Sequence, residues 1–239
     1  MHMGRIGIIG AMEEEIALLK EKMEIEVIVK KASMEFYQGT LNGREIVVVR
    51  SGIGKVNAGL CAQILVDVFN VNSLINTGIA GSLKAEINIG DIVISSDALH
   101  HDMDARNFGY ARGEIPRMET LSFPADPDLI SAAKAACEEA NPEINVFVGR
   151  IVTGDQFIAE RSVKNEIASW TEGYCTEMEG AAIAQAAYLN HVPFVIVRAI
   201  SDKADDSATM DYPTFERQAI EHSVKLIEAF VARQPEDTY

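Results

Sequence analysis

Apolar residues along this chain follow two rhythms. Short runs with few charges, at 5–10, 44–50, 73–78, 91–96, 146–152 and 194–200, read as strands, and several are too uniformly apolar for a sheet with one wet face. Between them the apolar positions recur at helical spacing: Ile16, Leu18 and Leu19 after Met12, a stretch from Lys55 to about Phe69, about 128–140, 178–189, and a long terminal segment from Pro213 to about 232. The runs 35–41 and 44–50 are joined by Asn42-Gly43, a strong hairpin signal. Apolar strands alternating with amphipathic helices predict an α/β protein, a three-layer α/β/α sandwich whose hairpins make the central β-sheet mixed. The one extended irregular piece, 104–127, carries Phe108, Tyr110, Ile115 and Pro116. It is too apolar for a solvated loop and reads as a site lid or a subunit contact.

Composition narrows this picture. A chain of 239 residues with 48% hydrophobic side chains and 7 prolines suits one large domain, expected over 4–233, with Met1-His2-Met3 read as a cloning remnant and 234–239 as a tail. Against 21 Lys+Arg stand 36 Asp+Glu, a net charge of -15, which repels polyanions, so neither nucleic acid nor an anionic membrane is an expected partner. The 3 cysteines, Cys61, Cys137 and Cys175, are odd in number and widely spaced, as in a reducing compartment. With no leader-like start and no apolar run long enough to span a bilayer, a cytoplasmic protein is expected.

The glycine-rich turns do not make the common nucleotide motifs. Gly4-x-x-Gly7-x-x-Gly10 lacks the spacing of a dinucleotide fingerprint, and Gly52-x-Gly54-Lys55 has Val49 and Val56 where a phosphate loop needs glycine and a hydroxyl. They read as tight strand-to-helix turns and, because ligands sit at strand ends, as the rim of a small-molecule pocket. His100, Asp102 and Asp104 alternate as on one face of a strand, but no fourth ligand stands nearby and no metal is expected.

Three acidic segments carry the candidate chemistry. Met12-Glu13-Glu14-Glu15 suits a first helical turn, where acids complement the macrodipole. Thr176-Glu177-Met178-Glu179 reads as a capping box with Thr176 at the N-cap. In Arg198-Ala-Ile-Ser201-Asp202 an apolar strand ends in a carboxylate, which is costly unless bonded. Each has a structural explanation alone. Together, Glu15, Glu179 and Asp202 on one edge of the sheet suit a reaction that builds positive charge, such as cleavage at a sugar's anomeric carbon. His191 and His222 lie in or beside helices with nothing to mark a nucleophile, so acyl transfer is disfavoured.

Ile8-Ile-Gly-Ala-Met-Glu-Glu-Glu15, Ser51-Gly-Ile-Gly-Lys55, Asn76-Thr-Gly-x-Ala-Gly81, Gly90-Asp-Ile-Val93, Thr153-Gly-Asp-x-Phe157, Glu177-Met-Glu-x-Ala181 and Arg198-Ala-Ile-Ser-Asp202 resemble the bacterial 5′-methylthioadenosine/S-adenosylhomocysteine nucleosidases in order and spacing, from about residue 5 to the last helix. The resemblance implies a nucleoside phosphorylase-like fold, a homodimer, and hydrolysis of the adenine N-glycosidic bond without metal or cofactor. It implies that Glu15 activates water, Asp202 protonates adenine N7, and Glu179 holds the ribose hydroxyls beside Met178. Phe157 and Ile158 would face adenine. Met12, Ile53 and Tyr212 would form the 5′-thio pocket, with Ala105, Phe108 and Pro116 of a partner subunit. Gly81 and Ile79 count among the binding positions, Ser201 is placed to orient Asp202, and Arg198 is the nearest cation to balance a carboxylate.

Departures from the usual family pattern are Ile79 in place of a pocket hydroxyl, Ser82 in place of a glycine, Tyr212 where phenylalanine is commoner, and Ala105 where a larger aliphatic is usual. They are expected to alter hydrogen bonding near the ribose and substrate preference at the 5′ end. Three rivals share the fold: a phosphorylase, whose relatives carry arginine near Asn76 and serine near Ile79; a non-catalytic adenine-nucleoside binder; and a nucleosidase of another 6-amino-purine riboside such as aminodeoxyfutalosine.

Overall fold

The computed structural model describes residues 4–205 and 207–233. The expected remnant at 1–3 and tail at 234–239 lie outside the described residues. In chain order the elements are β1 (Ile6–Gly10), α1 (Glu13–Lys22), β2 (Glu24–Lys31), β3 (Met34–Leu41), β4 (Arg44–Arg50), α2 (Lys55–Phe69), β5 (Ser73–Ser82), β6 (Ile92–His100), a single 3-10 turn (Arg106–Phe108), β7 (Phe123–Pro124), α3 (Pro127–Ala140), β8 (Val146–Thr153), α4 (Arg161–Thr171), β9 (Cys175–Glu177), α5 (Gly180–Leu189), β10 (Phe194–Asp202) and α6 (Ala208–Arg233).

The strands form one mixed sheet in the order β10-β6-β8-β9-β5-β1-β4-β3-β2, with β7 beside β6. One extra pairing changes its shape: β5 also runs parallel to β10, from Phe194↔Leu74 to Ile200↔Ala80. The pairs β5–β10, β10–β6, β6–β8, β8–β9 and β9–β5 therefore close a ring, and β1, β4, β3 and β2 extend from β5 as an open wing. Helices cover both faces, as the apolar pattern predicts. One core packs α2 and α5, through Leu65 and Ile183, against Val47, Leu74 and Ile196; the other packs α1, α3 and α6, through Ile16, Leu129 and Leu226, against Ile75 and Val197. Strands β1, β5 and β10 are buried along their whole length, consistent with their near-continuous apolar runs.

Several elements differ from expectation. β2 is an additional strand, built on the β-branched Ile25, Val27, Ile28 and Val29, and as the edge of the wing it is exposed almost throughout. α4 carries Val163, Ile167 and Trp170 at helical spacing and packs them into a small third cluster with Leu99 and Val152. β5 does not turn at Gly78 but continues to Ser82, because β10 and β9 pair with its far end. The terminal helix starts at Ala208 rather than Pro213, and Pro213 lies inside it, where it offers no N–H to the Thr209 carbonyl.

Candidate active site

The ends of β1, β5, β9 and β10 and the first turns of α1 and α6 surround a cavity of about 580 Å³, a size that suits a nucleoside-sized ligand. Its lining includes Met12 and Glu15, Ile53, Ile79 and Gly81, Phe157, Met178 and Glu179, Ser201 and Asp202, and Tyr212. Ile158 faces a small adjoining recess shared with Gly81, Phe157, Met178 and Asp202. Most of the positions expected from the sequence thus meet in one place. Four carboxylates line the cavity, Glu15, Glu177, Glu179 and Asp202, and among the described residues that line it none is Lys or Arg.

Glu15 sits in the first turn of α1 with its carboxylate turned back toward the preceding strand. It accepts from the N–H groups of Ala11 (2.6 Å), Met12 (3.0 Å) and, across the sheet, Ile79 (3.3 Å). Burial pushes its carboxyl above the usual range, while Arg198 and these backbone donors pull the other way. The Ile79 side chain therefore supplies no hydroxyl here, but its backbone does bind the carboxylate.

Asp202 ends β10 and has different neighbours. It accepts from the Ala204 N–H at 2.7 Å and from the Ser201 hydroxyl at 2.9 Å. Burial again raises its carboxyl; those two bonds oppose the shift, and the charges of Asp211 and Asp205 add to it. Both carboxylates depend on bare positions in β5. A Cβ on Gly78 would lie 2.5 Å from Glu15 Oε1, and one on Gly81 would lie 2.7 Å from Asp202 Oδ1.

Glu179 is the N-cap of α5, not the third residue of a capping box as the sequence suggested. Thr176 is in β9, and its buried hydroxyl has no hydrogen-bond partner among the described residues. The cap role falls to Glu177, whose carboxylate accepts from the N–H groups of Glu179 (3.2 Å) and Gly180 (2.8 Å). Glu179 itself accepts from the Gly54 N–H at 2.8 Å. Its carboxyl is pushed up to about 7, first by burial and then by the charge of Glu177, with Arg198 and the Gly54 donor opposing and Glu15 adding to the rise.

Arg198, expected among the binding positions, is not in the cavity lining. It is fully buried beneath it, paired with Glu177 and bonded to the side-chain oxygen of Asn76. Burial disfavours its charge, but Glu177, Glu15 and Glu179 together favour it. A single buried cation thus serves three acids. Glu177 and Asn76 were missing from the expected site, because pairings between residues so far apart in sequence leave no local signal. The lining residues Thr209 and Pro213 were missed with them, since α6 begins earlier than expected.

Ala105, Phe108 and Pro116 lie outside this cavity, with Phe108 84% exposed. Tyr212 reaches the cavity from α6, with its hydroxyl 3.4 Å from Met12 Sδ and its ring edge-on to Phe157 at 5.9 Å. Ser82 is buried away from the cavity, where its hydroxyl donates to the Lys84 carbonyl. The three residues that alternate in sequence toward a metal-like pattern diverge: His100 bonds Gln185, Asp102 pairs with Lys55, and Asp104 pairs with Arg106. β6 ends at His100, so the alternation that put them on one face stops there.

The model of the phosphorylase superfamily matches residues 5–232. Over 227 residues the chain is 40% identical to the 5′-methylthioadenosine/S-adenosylhomocysteine nucleosidase of Staphylococcus haemolyticus, covering 95% of this chain and 98% of that protein. The crystal structure of the Neisseria meningitidis nucleosidase of the same name, in complex with methylthio-immucillin-A, superposes with a TM-score of 0.92 at 39% identity, covering 96% of this chain and 99% of that one. Futalosine hydrolase of Helicobacter pylori superposes with a TM-score of 0.91 at 30% identity, covering 97% and 99%. With a carboxylate-lined cavity on this fold, and with identity extending over nearly the whole chain, the protein belongs to the 5′-methylthioadenosine/S-adenosylhomocysteine nucleosidase family of the phosphorylase superfamily.

Proposed function

We propose that this protein hydrolyses the adenine N-glycosidic bond of 5′-methylthioadenosine and S-adenosylhomocysteine, releasing adenine and the 5-thioribose product, a step of methionine salvage. The observation that carries the reading is the convergence of Glu15, Glu179 and Asp202 on one cavity in three different surroundings. Asp202, with two donors and two further acids nearby, is the group favoured as a proton donor, and it protonates adenine N7 as the bond breaks. Glu15, whose three backbone donors and the Arg198 cation oppose the effect of its burial, takes the proton of the attacking water. Glu179 holds the ribose hydroxyls, and the acidic lining favours the oxocarbenium-like sugar that forms between departure and attack. Phe157 stacks on adenine, Ile158 contacts it through its backbone, and Met12, Ile53 and Tyr212 enclose the 5′-thio group.

The same lining argues against phosphorolysis. Asn76 is buried and bonded to the Ile9 carbonyl and Arg198, and a phosphate dianion among four carboxylates would be repelled. A second substrate, aminodeoxyfutalosine, is favoured by the likeness to futalosine hydrolase, since it presents the same adenine and ribose. The reading extends to a cytoplasmic homodimer in which Ala105, Phe108 and Pro116 of one copy close the 5′ end of the other's cavity. Supporting it are the exposure of Phe108 and of Ile53 at the cavity rim, and an apolar face on α2 and α5 bearing Val56, Leu60 and Leu189. The three cysteines are unpaired, as in a reducing compartment.

An adenine-release assay on methylthioadenosine, adenosylhomocysteine, adenosine and inosine, with and without phosphate, tests the activity. Phosphate-independent adenine release from the two thio-nucleosides is expected. Strict phosphate dependence would establish the phosphorylase, and binding without release would establish the non-catalytic receptor.

A further inference from the structure

Helix α2 begins at the cavity, and its N-cap residue, Gly54, has φ 96° and no side chain with which to cap it. The helix is capped from elsewhere. The Lys55 N–H donates to Asp155 Oδ1 at 2.8 Å, across 100 residues of sequence, while the Gly54 N–H donates to Glu179. One helix start is therefore shared between a carboxylate of the cavity and a carboxylate of the loop after β8. That loop is itself tied down. Asp102, just beyond β6, accepts from the Asp155 N–H at 3.0 Å and from Lys55 Nζ at 2.6 Å. Although burial works the other way, Lys55 and the Asp155 N–H hold the Asp102 carboxyl below the usual range.

These bonds join two loops that each supply part of the cavity wall. The loop before α2 carries Ile53, and the loop after β8 carries Phe157. Neither aspartate touches Glu15 or Asp202, whose hydrogen bonds come from Ala11, Met12, Ile79, Ser201 and Ala204. We propose that Asp155 and Asp102 are positioning residues for substrate binding: Asp155 caps α2 in trans, Asp102 holds Asp155 and Lys55 together, and the pair sets the spacing of Ile53, Phe157 and the Gly54 donor to Glu179. This rests on the nucleosidase reading for its kinetic consequence, but the cap itself does not.

The test compares wild type with Asp155→Ala, Asp155→Asn and Asp102→Ala, measuring kcat and KM for adenine release from methylthioadenosine together with amide hydrogen exchange of the segment 52–58. Asp155→Ala is expected to raise KM about tenfold, the scale of a lost helix cap, with kcat little changed and faster exchange at 52–58. Asp155→Asn, which keeps the Oδ1 acceptor, is expected to recover most of both. Asp102→Ala should act in the same direction, and combining it with Asp155→Ala should add less than the sum of the two effects. Wild-type KM and exchange in Asp155→Ala, a fall in kcat as large as the rise in KM, or no rescue by asparagine overturns the proposal. If the wild type releases no adenine, the activity reading fails by itself, and the exchange data alone decide whether Asp155 caps the helix.

Discussion

Burial raises the carboxyls of Glu15, Glu179 and Asp202 alike, so what separates their proposed roles is what opposes burial at each. Glu15 has three N–H donors and shares a guanidinium, whereas Asp202 has one N–H, one hydroxyl and two acidic neighbours. Asp202→Asn and Glu15→Gln are each expected to lower kcat by about 10²–10⁴, the usual contribution of a general acid or base. Glu15→Gln should still bind substrate in an equilibrium titration; release of adenine at near wild-type rate by either variant sinks that residue's role. Since the proposed acid must be protonated, kcat/KM should fall as pH rises through the elevated Asp202 value, and Asp202→Asn should lack that limb. Glu179 has a consequence for stability. Because its folded value, about 7, exceeds the ordinary 4.5, the folded state binds a proton between these values that the unfolded chain does not, and stability falls as pH rises across that window. Glu179→Gln keeps an acceptor for the Gly54 N–H. It should melt above the wild type at pH 8 and lose that advantage at pH 4, a comparison that thermal unfolding at the two pH values decides.

Among the elements, β5 does most to shape the site. Its Gly78 and Gly81 leave the space that the carboxylates of Glu15 and Asp202 occupy, one on each side of Ile79 and Ala80. Gly78→Ala is expected to displace Glu15 and lower turnover sharply, with a stability cost of about 1–3 kcal/mol from overpacking; unchanged kcat with a normal melting temperature would show that Glu15 can move without consequence. The sequence reveals such features unevenly. The three candidate carboxylates stand at strand ends and helix starts, where short local motifs announce them, and the uniformly apolar runs of β1 and β10 announce a doubly covered sheet. The salt bridge of Arg198 with Glu177 and its bond to Asn76 join residues far apart in the chain, so no spacing encodes them. β2 is legible only in its β-branched Ile25, Val27, Ile28 and Val29, since both its faces are wet, and β9 escapes notice because Cys175–Glu177 is too short for any periodicity. The capping box at Thr176 was misleading for a related reason: the right residue types stand at the right spacing, but β5 and β8 draw Thr176 and Glu177 into a strand before the helix can start.

For the whole molecule, one group of the exposed apolar residues gathers on α2 and α5, apart from others such as Ile25, Val27 and Ile28 on β2. Val56 is 81% and Leu189 56% exposed, on helices that pack against each other beside a second cavity of about 360 Å³. In the proposed dimer this face is covered, so Val56→Glu combined with Leu60→Glu should sediment as a monomer and lose activity as the 5′ end of the cavity opens; a fully active monomer would refute the shared site. The closed ring of strands bears on a different question, the order in which the chain can acquire its structure during synthesis. β5 finds one neighbour, β1, early, but its other long partner, β10, is translated more than a hundred residues later. Until then, the side of β5 that will face β10 is a buried-type strand edge with nothing to pair with, and Asp202 has not yet joined Glu15. The nascent chain therefore has to hold an incomplete, adhesive sheet while about half of its length, between β5 and β10, is translated. Asp202 and the partner for the open edge of β5 arrive together, with the same strand, and α6 then completes the cavity wall with Thr209, Tyr212 and Pro213 and covers the sheet face.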